Sequence, residues 1–170
     1  MLLGPFYNQG TAGIVAETIQ GYSYVMIPPF ETTLGEDGRY QLPPGIHPAT
    51  WTELDKRFGT NPQRCAILAG LLRALQNLKK AGCQRAFIDG SFITSKEGPG
   101  DFDGLWDQDG VNVEALDPVL LDFDGHREAQ KAMFMGELFP TSPEFLDFFQ
   151  HDRDGRAKGI IQIDLKDDLI

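Results

Sequence analysis

Asp101-Phe102-Asp103 sets two carboxylates two residues apart in a run that reads as a β-strand. Residues at that spacing on a strand point to the same face, roughly 6.5 to 7 Å apart along the chain. Two carboxylates so placed can converge on one divalent cation or flank a pair of them, while Phe102 between them points to the opposite face and packs. Burying both charges alone would be costly, so a metal, a basic side chain or water must accompany them. Gly90-Ser91 lies just upstream, at the end of the preceding strand. A glycine there lets the backbone approach a phosphate closely. Ser91 can cap the turn that follows, whose N–H groups suit a triphosphate. Asp164, near the end of the last strand, is the third candidate carboxylate. If its strand neighbours that of Asp101 and Asp103, the ladder spacing of about 4.8 Å brings it to the same metals. Two magnesium (or manganese) ions held in this way would stabilise the attacking and leaving oxygens of a nucleotidyl transfer.

The elements that must position these residues follow from local signals. Thr50 with Glu53 makes a capping box, opening a helix that ends at Gly59. Asn61-Pro62 opens a second, in which Cys65, Leu68, Leu71, Leu72, Leu75 and Leu78 recur at helical spacing and Gly82 closes the run. Strands are expected at Arg85 to Asp89, Asp101 to Trp106, Val119 to Phe123 and Gly159 to Leu165, and helices at His126 to Phe139 and Glu144 to His151. Leu42 to Pro48 reads as an extended connection, because its prolines block a helix and a central strand. Upstream, Tyr22 to Ile27 suggests one strand, and Phe30 to Leu42, turning at 35–38, a β-hairpin. The expectation is an α/β (α+β) domain over residues 42–170, a small mixed sheet flanked by helices, preceded by an arm over 1–41.

A chain of 170 residues, 41% hydrophobic and 24% charged, buries a core without staples. No segment reaches the roughly 20 apolar residues of a membrane span, no secretory signal is evident, and Cys65 and Cys83 have no metal-ligand spacing. The reading is a cytoplasmic protein with free thiols, Cys65 packed on a helix face. A net charge of −10 argues against non-specific DNA binding, though not against RNA held by a local basic patch.

Asp-x-Asp-Gly carries little information alone, since it recurs at Asp101, Asp107, Asp122 and Asp152. Such tetrads are mostly turns in which the Asp side chain bonds the backbone, the reading for Asp107 and Asp152. The first copy differs in having Gly-Ser after a strand at the right distance. No calcium loop, P-loop, zinc-peptidase helix or Gly-x-Ser-x-Gly elbow is present. His47 reads as a structural loop residue, and His126 and His151 are the histidines that could approach the site. Trp106 is expected in the core, and Phe145, Phe148 and Phe149 in the core or an interface rather than as a base-stacking platform.

Gly90-Ser91, nine intervening residues and Asp101-Phe102-Asp103 together resemble the signature of the nucleotidyltransferase superfamily, whose minimal members are often encoded in toxin–antitoxin or defence loci. The longer run from Leu42-Pro43-Pro44-Gly45-Ile46-His47 through Asp89-Gly90-Ser91-Phe92 and Asp101 to Asp107, and on to Ile163-Asp164-Leu165, is similar to a group of uncharacterised bacterial and prophage proteins placed near that superfamily. The resemblance implies that Gly90 and Ser91 contact nucleotide phosphates and that Asp101 and Asp103 hold metal, with Asp164 assigned from strand context alone. Many minimal members carry an arginine soon after Gly-Ser. Here the run is Phe92-Ile93-Thr94-Ser95-Lys96, so Lys96 must serve the phosphates as a point charge. The expected activity is transfer of a nucleotidyl group from a nucleoside triphosphate to a protein or RNA hydroxyl. The alternative is a catalytically weak or inactive fold of the same kind, acting as an antitoxin or adaptor that binds a toxin or regulator. In a third reading the carboxylates only cap turns.

Overall fold

The computed structural model describes residues 18–19, 22–23, 27–35, 38–167 and 170. Two short strands, β1 (Thr18–Ile19) and β2 (Tyr22–Ser23), pair antiparallel. The main body is a five-stranded mixed sheet of β3 (Gly45–Ala49), β4 (Arg85–Asp89), β5 (Phe102–Trp106), β6 (Gly136–Pro140) and β7 (Gly159–Asp164), in the order β3-β7-β4-β5-β6. Among the described residues, four α-helices accompany it: α1 (Trp51–Phe58), α2 (Pro62–Lys80), α3 (Glu128–Phe134) and α4 (Pro143–Phe149). The fold is thus the mixed α/β domain expected. None of these helices is long and apolar enough to cross a membrane, among the described residues.

The helix signals are built as read. Thr50 and Glu53 form both halves of a capping box on α1, and Gly59 ends it. Asn61 caps α2, Pro62 occupies its first turn, and Gly82 follows at φ 93°. The buried stripe of α2 is Arg64, Ile67, Leu68, Leu71, Ala74, Leu75 and Leu78, which leaves Cys65 exposed. Cys83 is the buried thiol instead, pushed up to about 11 by burial. This corrects the placement of Cys65, whose position falls beside the apolar stripe.

Three other expectations change. Gly45–Ala49 is a true strand, parallel to β7, and its Pro48 is accommodated because β3 is an edge of the sheet. Residues 118–121 form a turn of 3-10 helix in place of a strand, started by Pro118 and capped by the Asp117 side chain. The helix expected to run to Phe139 stops at Phe134, and after Met135 the five residues Gly136–Pro140 make β6, parallel to β5. Upstream, the two arms of the expected hairpin do meet: Leu34 and Tyr40 form an antiparallel bridge, flanked by bonds from the Gly35 N–H to the Arg39 carbonyl at 2.7 Å and from the Glu31 N–H to the Gln41 carbonyl at 2.8 Å. The turn residues 36–37, and residues 24–26 of the suggested strand, lie outside the described ones. In the segment before Leu42, Ile27 and Phe30 pack against the main core, and Leu42 is itself buried.

The sheet has two unequal faces. Ala86, Ile88, Phe102, Trp106, Leu138, Ile161 and Ile163 join the large core with the apolar stripe of α2. Phe102 therefore packs away from its flanking aspartates, as alternation requires. The opposite face carries a small cluster, Phe87, Leu105, Phe149 and Ile160, and beyond it a polar end. The spacing between α2 and α3 is set by Gly70, where any Cβ would run into the Phe134 carbonyl. Replacing glycine by alanine inside a helix ordinarily stabilises by about 1 kcal/mol. Gly70→Ala is expected to do the reverse, lowering stability by about 1–3 kcal/mol in urea titration, because the added methyl meets backbone that cannot rotate away.

Candidate functional site

Asp103 sits directly opposite Asp89 across the antiparallel β4–β5 ladder, and beside Glu137 across the parallel β5–β6 ladder. Directly opposed side chains start about 5 Å apart and share a face. Three carboxylates therefore form one row across three neighbouring strands, on the face opposite α2, with Asp101 one turn of the pleat away. Two unit charges at about 5 Å repel by roughly 3 kcal/mol at an effective dielectric near 20.

Basic side chains answer most of this charge. Lys158, just before β7, makes a close ion pair with Asp89, both largely buried. Arg127 binds Glu137 through Nε at 2.5 Å, and Lys131 lies 3.1 Å from Asp101 and 3.6 Å from Glu137. Among the described residues, no cation pairs with Asp103. Burial, then Asp101, Glu137 and Asp89, push its carboxyl up to about 7. Burial likewise raises Asp89, against the opposing pull of Lys158 and the Gly90 N–H. Lys131 is raised by its bond to Asp101 and by the carboxylates behind it. Of these four carboxylates, Asp103 is the one without an ion pair among the described residues.

The Gly-Ser segment adjoins this row. Gly90 has φ 82° and ψ −173°, backbone that side chains other than glycine's rarely allow, and a Cβ there would strike the Asp103 carboxylate. A short 3-10 turn, Ser91–Ile93, follows, and it is Gly90 rather than Ser91 that stands at its cap position. Arg64 holds this loop from beneath. Its guanidinium donates to the carbonyls of Phe92 at 2.8 Å, Thr94 at 2.9 Å and Lys96 at 2.5 Å, and lies near the rings of Phe58 and Phe92. Burial lowers its affinity for the proton. Tyr40 ties the upstream segment to the same loop through its N–H to Ser95 Oγ at 2.9 Å.

The row and the loop open into one cleft of about 640 Å³, a volume ordinary for a small-molecule site. Gly90, Ser91, Lys96, Asp101 and Asp103 all line it, as do Arg39, Arg127, Lys158 and His151. Five of the six residues expected from the sequence are thus brought together. Asp164 is not. Its strand pairs with β3 and β4, and it stands opposite Arg85, at the far end of β4 from Asp89. Four residue steps of strand separate the two ends, about 13 Å. Asp164 is exposed and accepts a bond from the Lys166 N–H at 2.9 Å, closing a turn. Glu137 occupies the place meant for it.

Other candidates fall into structural roles. Asp107, Asp122 and Asp152 each accept from the N–H two residues on, at 3.1, 3.0 and 3.0 Å, the turn geometry expected of such tetrads. Only the Asp101 copy runs into a strand. His47 bonds the Pro43 carbonyl at 2.7 Å, and Trp106 is buried. His151 reaches the cleft but holds the Asp147 carbonyl at 2.9 Å, while the side chain of His126 is outside the described set. Glu137, Arg127 and Lys158 were missed because no local motif marks them, and Glu137 lay inside an expected helix.

The donor set suits a hard cation: carboxylate oxygens only, with one of them short of positive charge. Among the described residues, no three His, Cys, Asp or Glu side chains already converge as metal ligands, since Lys131 and Arg127 hold Asp101 and Glu137.

Comparison with known proteins adds a family. Residues 35–164 match the model of a family of unknown function, DUF6932, and the chain belongs to it. That span includes every residue of the cleft named above. No curated protein and no solved structure matches the chain.

The raised Asp103 carboxyl fixes a pH dependence. The native state binds this proton more tightly than the unfolded chain, so stability is greatest below the ordinary carboxylate range and falls as pH rises to about 7. In chelator, the wild-type unfolding midpoint is expected to drop between pH 5 and pH 8. Asp103→Asn is expected to flatten that slope and to be the more stable protein at pH 8, as read by thermal melts.

Proposed function

We propose that this member of the family is a metal-dependent nucleotidyltransferase-like protein, transferring a nucleotidyl group from a nucleoside triphosphate to a hydroxyl of a protein or RNA. The observation that carries this reading is the carboxylate row with one member lacking a cation, set against the Gly90 backbone. Asp101, Asp103 and Glu137 would hold magnesium or manganese. A divalent ion there supplies Lewis-acid stabilisation of the oxygens on phosphorus.

The remaining chemistry belongs to the chain's own side chains. Gly90 and Ser91 let phosphate oxygens come close to the backbone, and Lys96 with Arg127 neutralises their charge. An acceptor oxygen attacks the α-phosphorus, the bond from that phosphorus to the bridging oxygen breaks, and pyrophosphate departs with the electron pair. Glu137, in place of Asp164, would complete the set and accept the hydroxyl proton. Arg64 acts at one remove, by fixing the carbonyls of the Gly-Ser loop.

A second reading is supported by one specific feature. Lys131 lies between Asp101 and Glu137, where an internal ammonium could replace a metal altogether. That arrangement suits a non-catalytic module binding a toxin or regulator.

Pyrophosphate release from each common nucleoside triphosphate, with magnesium or manganese and with or without total RNA, separates the two. Catalysis is expected in the wild type. Asp103→Asn and Glu137→Gln should each lose about 100-fold or more, as befits removal of charge stabilisation worth several kcal/mol. Asp164→Asn should stay within about twofold, since its carboxylate stands at the other end of the sheet. A wild type that releases no pyrophosphate supports the binding module. Full activity in Glu137→Gln with loss in Asp164→Asn contradicts the site.

A further inference from the structure

One wall of the cleft is aromatic. Phe139 of β6 and Phe145 and Phe148 of α4 line it together with the carboxylate row and the Gly-Ser loop. Sequence patterning alone favours the core or an interface for the α4 rings. Of those rings, only Phe149 is buried, whereas Phe145 is 44% and Phe148 69% exposed. A helix of seven residues that turns two phenylalanines out of the core leaves apolar surface to be covered. The rings are ordered by one another. Phe139 lies 6.0 Å from Phe123 with their planes 9° apart, and 5.9 Å from Phe145, while Phe148 meets Phe149 edge-on at 5.9 Å. Arg127 stands 4.9 Å over the Phe139 ring while binding Glu137. One guanidinium therefore joins the apolar wall to the charged end. Its backbone is in the left-handed region, φ 58°, a conformation that arginine adopts only when its surroundings enforce it.

We propose that Phe145 and Phe148 are the seat of the nucleobase, a proposal that rests on the nucleotidyl-transfer reading of the same cleft. The occupant must be apolar and flat at one end and polyanionic at the other. A nucleotide has that shape, and aromatic rings bind any base through its π-face. The cleft's volume suits one such molecule rather than a polymer strand. The net charge of −10 also works against a long nucleic acid at this wall.

The test uses two probes. Magnesium–tripolyphosphate reads the metal and phosphate end alone, and magnesium–ATP reads that end plus the base. Isothermal titration of the full chain is expected to show ATP binding roughly 5- to 100-fold tighter than tripolyphosphate. Phe148→Ala and the double variant with Phe145→Ala should lose most of that ratio and leave tripolyphosphate affinity unchanged. Thermal melts would verify folding, which the exposure of both rings favours. Equal affinity of the wild type for the two probes overturns the proposal, as does an ATP affinity unaltered in the double variant. In either case, retained tripolyphosphate binding that Asp103→Asn abolishes would leave the metal-site reading intact. If the wild type binds neither probe, both fall together.

Discussion

Like charge packed onto a sheet is the constraint around which this domain is arranged. Asp89, Asp103 and Glu137 occupy one rung across β4, β5 and β6, so their separation is fixed by the ladder and cannot relax. Each neighbour makes sense as a response to that. Lys158 arrives from the start of β7 to meet Asp89, and Arg127 is bent into a left-handed conformation to meet Glu137. Lys131, one turn into α3, spans Asp101 and Glu137. Gly90 gives up its side chain so that the Asp103 carboxylate can lie against its backbone. What is left is a half-buried carboxyl, Asp103, pushed up to about 7 by burial and by the carboxylates around it. A stable core would not keep such a group, and sites that give up stability in this way are commonly the working ones.

The scaffold behind the row is ordinary and strong, which is what lets the row persist. Arg64, buried in the stripe of α2, replaces a run of hydrogen bonds that the irregular loop 92–96 could not make for itself. Gly70 draws α3 close to α2, and Gln130 of α3 caps the sheet edge by accepting from the Leu138 N–H at 2.9 Å. The elements bearing Lys131 and Glu137 are thereby tied to the same helix that supports the Gly-Ser loop. The two sides of the cleft share one foundation.

Local chemistry made much of this legible. The capping box of α1, the Asn-Pro start of α2 and the strand ending in Gly90-Ser91 are decided within a few residues, and they stand where the sequence put them. The partners of Asp103 are decided otherwise. Glu137 falls inside the helix expected over His126 to Phe139. The helix actually ends at Met135 in a left-handed conformation, with no glycine or asparagine there to announce it. Gly136 is needed by contact with Phe102, a residue thirty-four positions away in the chain. Asp164 was a sound candidate conditional on strand order. That order, with β7 beside β3 and β4, is a long-range outcome that no local pattern encodes. Arg127 and Lys158 belong to the same class, since what gives them meaning lies across the sheet.

The proposed chemistry turns on a divalent cation completing the row around Asp103. Electron paramagnetic resonance of manganese, titrated into the full chain with a nucleoside triphosphate present, measures it directly. Saturable binding is expected to the wild type and to Asp164→Asn, and its loss in Asp103→Asn and in Glu137→Gln. No bound manganese in the wild type, or binding that persists in both of those variants, would contradict it.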